Sequence, residues 1–96
     1  MNPQFRQFLT TYLDLEQAYV VTGSLRTTLH AFNASFGQAV RDGLTSVLES
    51  RELSVDDYEG ITGIEFEDEE SLYTYLREMH DYLFGDRADQ PVPPEQ

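Results

Sequence analysis

Apolar side chains return along this chain every three or four positions, in stretches separated by caps, glycines and prolines. Phe5, Phe8, Leu9, Tyr12 and Leu13 stand at i, i+3, i+4, i+7 and i+8, the single stripe of a core-facing helix. Asn2 is a good N-cap for it, and Pro3 falls at the first helical position, where its missing N–H does no harm. The pattern predicts that this helix fades near Gln17. Ala18 to Gly23, apolar and β-branched, reads as a packed connection. A second helix opens at Thr22 or Ser24 and places Leu25, Leu29, Phe32 and Phe36 on one face, with a break expected where Asn33, Ser35 and Gly37 cluster. From about Ser35 a third helix carries Val40, Leu44, Val47 and Leu48 towards Arg51. Gly43 costs that helix about 1 kcal/mol relative to alanine and leaves room for a close neighbour.

The next start is unusually well marked. Ser54 can cap, Asp57 stands three residues on in the capping-box position, and Leu53 and Tyr58 occupy the flanking staple positions. Gly60 and Gly63 are expected to end this short helix, and Ile61, Ile64 and Phe66 to anchor the loop, with a trace of extended chain at 64–66. Asp68 caps the last helix, Glu69 and Glu70 sit in its first turn, and Leu72, Tyr75, Leu76, Met79 and Leu83 form its stripe up to Gly85. The expected fold is therefore all-α: a small bundle of four to five short helices in one domain, residues 1–85. Residues 86–96, acidic and with Pro91, Pro93 and Pro94, are expected to form a flexible or disordered C-terminal tail whose one core-forming side chain is Val92.

Charge changes this picture more than composition does. The net charge is −12, and its distribution is one-sided. Residues 1–51 balance four acids with four arginines, whereas residues 52–96 hold fourteen acids against Arg77 and Arg87. Such a field repels nucleic-acid phosphates and anionic membranes and attracts basic partners. The chain lacks cysteine, so disulfides, thiolate metal sites and cysteine nucleophiles are excluded. The N-terminal residues do not read as a signal peptide, and no window approaches the roughly 18 apolar residues of a membrane span. A soluble cytoplasmic domain is the expectation.

Candidate chemistry is thin. His30 and His80 fall on separate helices, each next to an apolar position and outside any nucleophile motif, so catalysis is not expected. An EF-hand alignment fails: with Gly60 at loop position 6, Val55 and Phe66 take positions 1 and 12, and with Gly63 there, Tyr58 and Gly60 take positions 1 and 3. No metal and no cofactor are expected. What remains is a surface where carboxylates interleave with aromatics, a pattern suited to an Arg/Lys-rich protein partner. Helix-start chemistry accounts in part for Asp56, Asp57, Asp68, Glu69 and Glu70. Glu59, Glu65 and Glu67 have no such local role. The candidate partner-binding set is Tyr58, Glu59, Glu65, Glu67, Asp68, Glu69, Glu70 and Tyr73, with Tyr73 exposed because Tyr75, two residues away, takes the buried face.

Phe5-x-x-Phe8-Leu9-x-x-Tyr12, Leu44-x-x-Val47-Leu48 and Leu53-Ser54-x-Asp56-Asp57-Tyr58 together resemble small helical bacterial immunity proteins, those of contact-dependent growth inhibition systems above all, over roughly residues 4–84. The resemblance implies a non-enzymatic cytoplasmic antidote that binds the toxic domain of a delivered effector, often a nuclease, and covers its active site. Where many members continue the first helix into a turn bearing histidine and tryptophan, this chain has Leu13-Asp14-Leu15-Glu16 and no tryptophan. Charge alone fits a second reading equally well: an acidic adaptor or nucleic-acid mimic that occupies the groove of a nucleic-acid-binding protein.

Overall fold

Five helices follow one another along the chain: α1 (Pro3–Tyr12), α2 (Ser24–Ala31), α3 (Ala34–Ser50), α4 (Val55–Thr62) and α5 (Glu69–Phe84). The computed structural model describes residues 1–22, 24–31 and 33–96, and no strand occurs among them. Gly23 and Phe32, assigned above to the connection before the second helix and to that helix's apolar face, lie outside the described residues. The all-α bundle expected from the pattern is the fold observed.

Caps decide where the helices begin. Asn2 Oδ1 accepts from the Phe5 N–H at 2.6 Å, Asn33 Oδ1 from Phe36 at 2.9 Å, and Asp68 Oδ1 from Ser71 at 2.8 Å. Ser54 and Asp57 close the reciprocal capping box. The first helix is shorter than its pattern suggests and ends at Tyr12. Asp14 Oδ1 accepts from Gln17 N at 2.9 Å, and Leu15 N donates to the Thr62 carbonyl at 2.8 Å, so the chain leaves the helical path to meet the end of α4. There Gly63 adopts φ +80°, the left-handed geometry that stops a helix, while α4 runs through Gly60 unbroken.

The α1–α3 contact is built on Gly43. A Cβ at that position would lie 2.5 Å from Phe5 Cβ and 2.8 Å from Asn2 Nδ2, and Phe5 is fully buried. Asn2 joins the same contact by donating Nδ2–H to the Ala39 carbonyl at 2.8 Å. The α1 cap and the α1–α3 seam therefore share one side chain.

Helix α5 is buried over a wide arc, with Tyr73 and Tyr82 adding to the Leu72, Tyr75, Leu76, Met79 and Leu83 stripe. Helices α2 and α3 pack on it, and two non-helical segments complete its surroundings. One is the α3–α4 connection: the Tyr73 hydroxyl donates to the Leu53 carbonyl at 2.9 Å and accepts from Leu53 N at 3.1 Å. The other is the C-terminal segment, where the structure departs from expectation. Residues 86–96 are laid along the body, with Gln90, Pro91 and Pro93 buried and Val92 left outside. Arg26 fastens the start of this segment. Its guanidinium lies 4.4 Å from the Tyr82 ring centroid, donates to the Tyr82 carbonyl at 2.6 Å and donates to the Arg87 carbonyl. The far end is held by the Tyr19 hydroxyl on the Pro94 carbonyl and by Gln96, whose amide pairs with Glu65 N and O at 2.7 and 3.1 Å. The prolines that suggested a loose tail also lower the entropy lost on ordering it, because their φ is already fixed.

Candidate partner-binding surface

The α4–α5 connection, residues 63–68, is held from below by Ile64 and Phe66, both buried. Phe66 sits between two tyrosine rings, with centroids 5.6 Å from Tyr58 and 5.4 Å from Tyr75. Alternation about this anchor turns Glu65 and Glu67 outward, and both are exposed.

Two of the predicted contact residues are not on the surface. Tyr58 is 0% exposed and Tyr73 is 1% exposed. Tyr58 occupies the staple position behind Ser54, where its ring meets Phe66. Tyr73 and Tyr75 do point to different sides of α5, as residues two apart must, but each side is covered by a different neighbour. Tyr73 meets Leu53, and Tyr75 meets Phe66. Burial pushes all three phenols above their ordinary pKa. The Tyr58 and Tyr75 hydroxyls are buried close to each other.

The six carboxylates of the predicted set are exposed, and the structure sorts them by use. Arg51 counters two of them. It takes a left-handed conformation at the end of α3 (φ 53°, ψ 34°), lays its guanidinium 4.6 Å from the Tyr73 ring centroid, and pairs with Glu69 at 3.0 Å and Glu70 at 2.9 Å. The hydrogen bond to Glu70 is the main cause that holds the Arg51 pKa above its ordinary value. Asp68 is spent on its cap: the Ser71 N–H and then its hydroxyl hold the carboxyl below the usual range. The ion pairs among the described residues are these two and Arg87–Glu78 at 3.3 Å. Glu59, Glu65 and Glu67, and likewise Glu52 and Asp56, therefore have no ion-pair partner there.

Two clefts open in this acidic half. One, about 430 Å³, lies between α1, α3 and α4, and mixes Glu52, Asp56 and Asp57 with Arg6 over Val47, Leu53 and Ile61. The other, about 370 Å³, lies between the start of α5 and the C-terminal segment. Asp68, Glu70 and Glu78 line it over Phe66, Tyr75, Val92 and Pro94. Sequence reasoning missed Glu78 and the C-terminal wall. Glu78 sits within the α5 pattern with nothing to set it apart, and residues 90–94 look like tail by composition.

The histidines meet where their sequence positions gave no hint. His30 donates Nε2–H to the Leu83 carbonyl at 2.8 Å, His80 Nε2 lies 3.3 Å from Thr45 Oγ1, and Phe84 stands against both rings, with centroids 5.9 and 5.5 Å away. These contacts secure the end of α5. Among the described residues, no three histidine or carboxylate side chains gather closely enough to hold a metal ion, and no helix is long and apolar enough to cross a membrane. No protein-family model matches the chain, and neither a curated protein nor a solved structure matches it significantly.

Proposed function

We propose that this chain is a cytoplasmic immunity protein: a non-enzymatic, stoichiometric inhibitor that binds the basic toxin domain of a contact-dependent growth inhibition effector, a nuclease by its charge, and covers its active site. One observation carries the reading. Glu59 on α4 and Glu65 and Glu67 on the α4–α5 connection are exposed, without an internal counter-ion among the described residues, on the half of the chain that holds the whole of the −12 charge. Unpaired like charges oppose folding through self-repulsion, so their gain must lie outside the monomer. Nuclease domains carry positive charge to hold phosphates. An opposite field on an inhibitor raises the encounter rate by roughly a hundredfold or more over neutral pairs and discriminates against other partners.

Cell protection tests it. If a large secreted protein is encoded beside this chain, its basic C-terminal domain is the toxin to express with and without it. Co-expression is expected to restore growth, and the triple change Glu59→Lys, Glu65→Lys, Glu67→Lys is expected to abolish protection while the variant stays folded. Full protection by the triple variant excludes this face.

A further inference from the structure

Residues 90–94 of the C-terminal segment are held extended by covalent chemistry alone. Pro91, Pro93 and Pro94 have φ locked near about −65°, and Gln90, Val92 and Pro93 each precede a proline, which pushes them towards the β and polyproline II region. The body of the molecule takes this stretch by its prolines. Pro91 and Pro93 are buried, whereas Val92 between them is 55% exposed. Prolines have no N–H, so their carbonyls are the groups left to bond, and the Tyr19 hydroxyl donates to that of Pro94. The stretch begins where Gln90 lines a cavity with Tyr12 and Leu25, and it ends where Pro94 lines a cleft with Phe66 and Tyr75. Aromatic-lined grooves that accept preformed polyproline II segments are a recurring mode of recognition between proteins. In this molecule such a groove is filled by the chain's own residues.

We propose that the groove between Tyr19, on the α1–α2 connection, and Phe66 and Tyr75 is a recognition site for a basic, proline-rich segment of a protein partner, closed in cis by residues 90–94 until that segment displaces them. The assignment does not depend on the immunity reading. The chain's own residues are a poor electrostatic match for the place they occupy. Glu95 stands next to Gln96, whose amide pairs with the Glu65 backbone, and Glu65 has no ion-pair partner among the described residues. Like charges so placed repel, whereas a lysine in the place of Glu95 would be attracted. Release also breaks no helix, because residues 86–96 belong to none. Arg26 on the Arg87 carbonyl and Glu78 on the Arg87 guanidinium fix the base of the segment, so the residues beyond can leave as an arm while α5 stays in place. A competing segment with the same prolines arrives already extended and loses little conformational freedom on binding.

The test is fluorescence anisotropy of a labelled peptide copying residues 88–96 with Glu95→Lys, titrated with the full chain. A closed groove weakens the apparent affinity by the fraction of chains that are open, so loosening the segment must tighten binding of the peptide. Gln96→Ala in the chain removes the contacts on Glu65 from an exposed position that leaves the buried prolines in place, and it is expected to tighten binding several-fold. Pro91→Gly with Pro93→Gly is expected to tighten it about tenfold or more. In that open chain, Tyr19→Phe removes the groove's donor and is expected to weaken the peptide. On the unaltered chain, saturating peptide is expected to move the Val92, Glu95 and Gln96 amide resonances to the positions of an unstructured chain. The assignment is overturned if Gln96→Ala binds the peptide no more tightly than the unaltered chain, or if the peptide binds without releasing those amides. Equal binding of a peptide whose three prolines are alanines overturns it as well.

Discussion

Replacing Gly43 with alanine tests the packing on which the bundle is built. In an exposed helix the change is stabilising, by about 1 kcal/mol. Here the new methyl would stand 2.5 Å from Phe5 Cβ, 2.7 Å from Phe5 Cγ and 2.8 Å from Asn2 Nδ2, whereas ordinary contact begins at 3.4 Å. Phe5 is fully buried and its Cβ moves only with the backbone, so α1 must withdraw from α3 by most of an ångström. That withdrawal also stretches the Asn2 Nδ2–Ala39 hydrogen bond that ties the α1 cap to α3. Overpacking of this kind costs about 1–3 kcal/mol and a hydrogen bond about 1 kcal/mol, which together outweigh the propensity gain. The expected net loss is about 1–3 kcal/mol, or a fall in melting temperature of roughly 5–20 °C for a domain this size. Gly60 supplies the internal control. It too lies inside a helix, but a Cβ there meets nothing within 4 Å. Gly60→Ala is therefore expected to raise the melting temperature by a few degrees, from about 0.5–1 kcal/mol of helix propensity. Thermal melts of the two variants followed by circular dichroism should move in opposite directions. If both rise, the close α1–α3 approach is not what Gly43 serves.

Three further expectations follow from the side-chain contacts. Tyr73→Phe removes the donor to the Leu53 carbonyl and the acceptor for Leu53 N in a buried setting, so urea denaturation should show a loss of about 1–3 kcal/mol. Asp68 has its pKa lowered by the Ser71 cap, so its stabilisation is complete above the ordinary carboxylate range near about pH 4 and is lost as pH falls below it through the native value. The gap in melting temperature between the chain and Asp68→Ala should accordingly be present at pH 7 and close in acid. Tyr58, Tyr73 and Tyr75 have raised pKa values, so their neutral forms favour the native state below about pH 10, and that advantage is lost as pH rises beyond it. In an alkaline titration, their phenolate absorbance should appear together with the loss of helical signal rather than before it.

The helices were legible because their signals are local. Asn2, Ser54 and Asp68 cap where the pattern placed them, and the α5 stripe is buried as its spacing requires. The site was legible only in its charges. Periodicity identifies a helix's principal apolar face but not what covers the flanks, so the burial of Tyr73 could not be read without knowing that the 51–54 connection crosses it. Arg51 directly precedes the acidic run, but its partners Glu69 and Glu70 lie eighteen and nineteen residues on, and only the α3–α4–α5 turn brings them together. The C-terminal segment shows the same limit. Its composition is that of a tail, and its order comes from side chains elsewhere in the chain: Tyr19, Arg26 and the Gln96 contact with Glu65.

The most direct test of the proposed function is the association rate between this chain and the basic toxin domain proposed as its partner, measured by stopped flow from low to physiological salt. An electrostatically steered pair should associate at about 10⁸ M⁻¹s⁻¹ or faster at low salt, slow steeply as salt rises, and lose that advantage when Glu59, Glu65 and Glu67 are reversed. An association rate indifferent to salt and unchanged by those reversals would contradict the account.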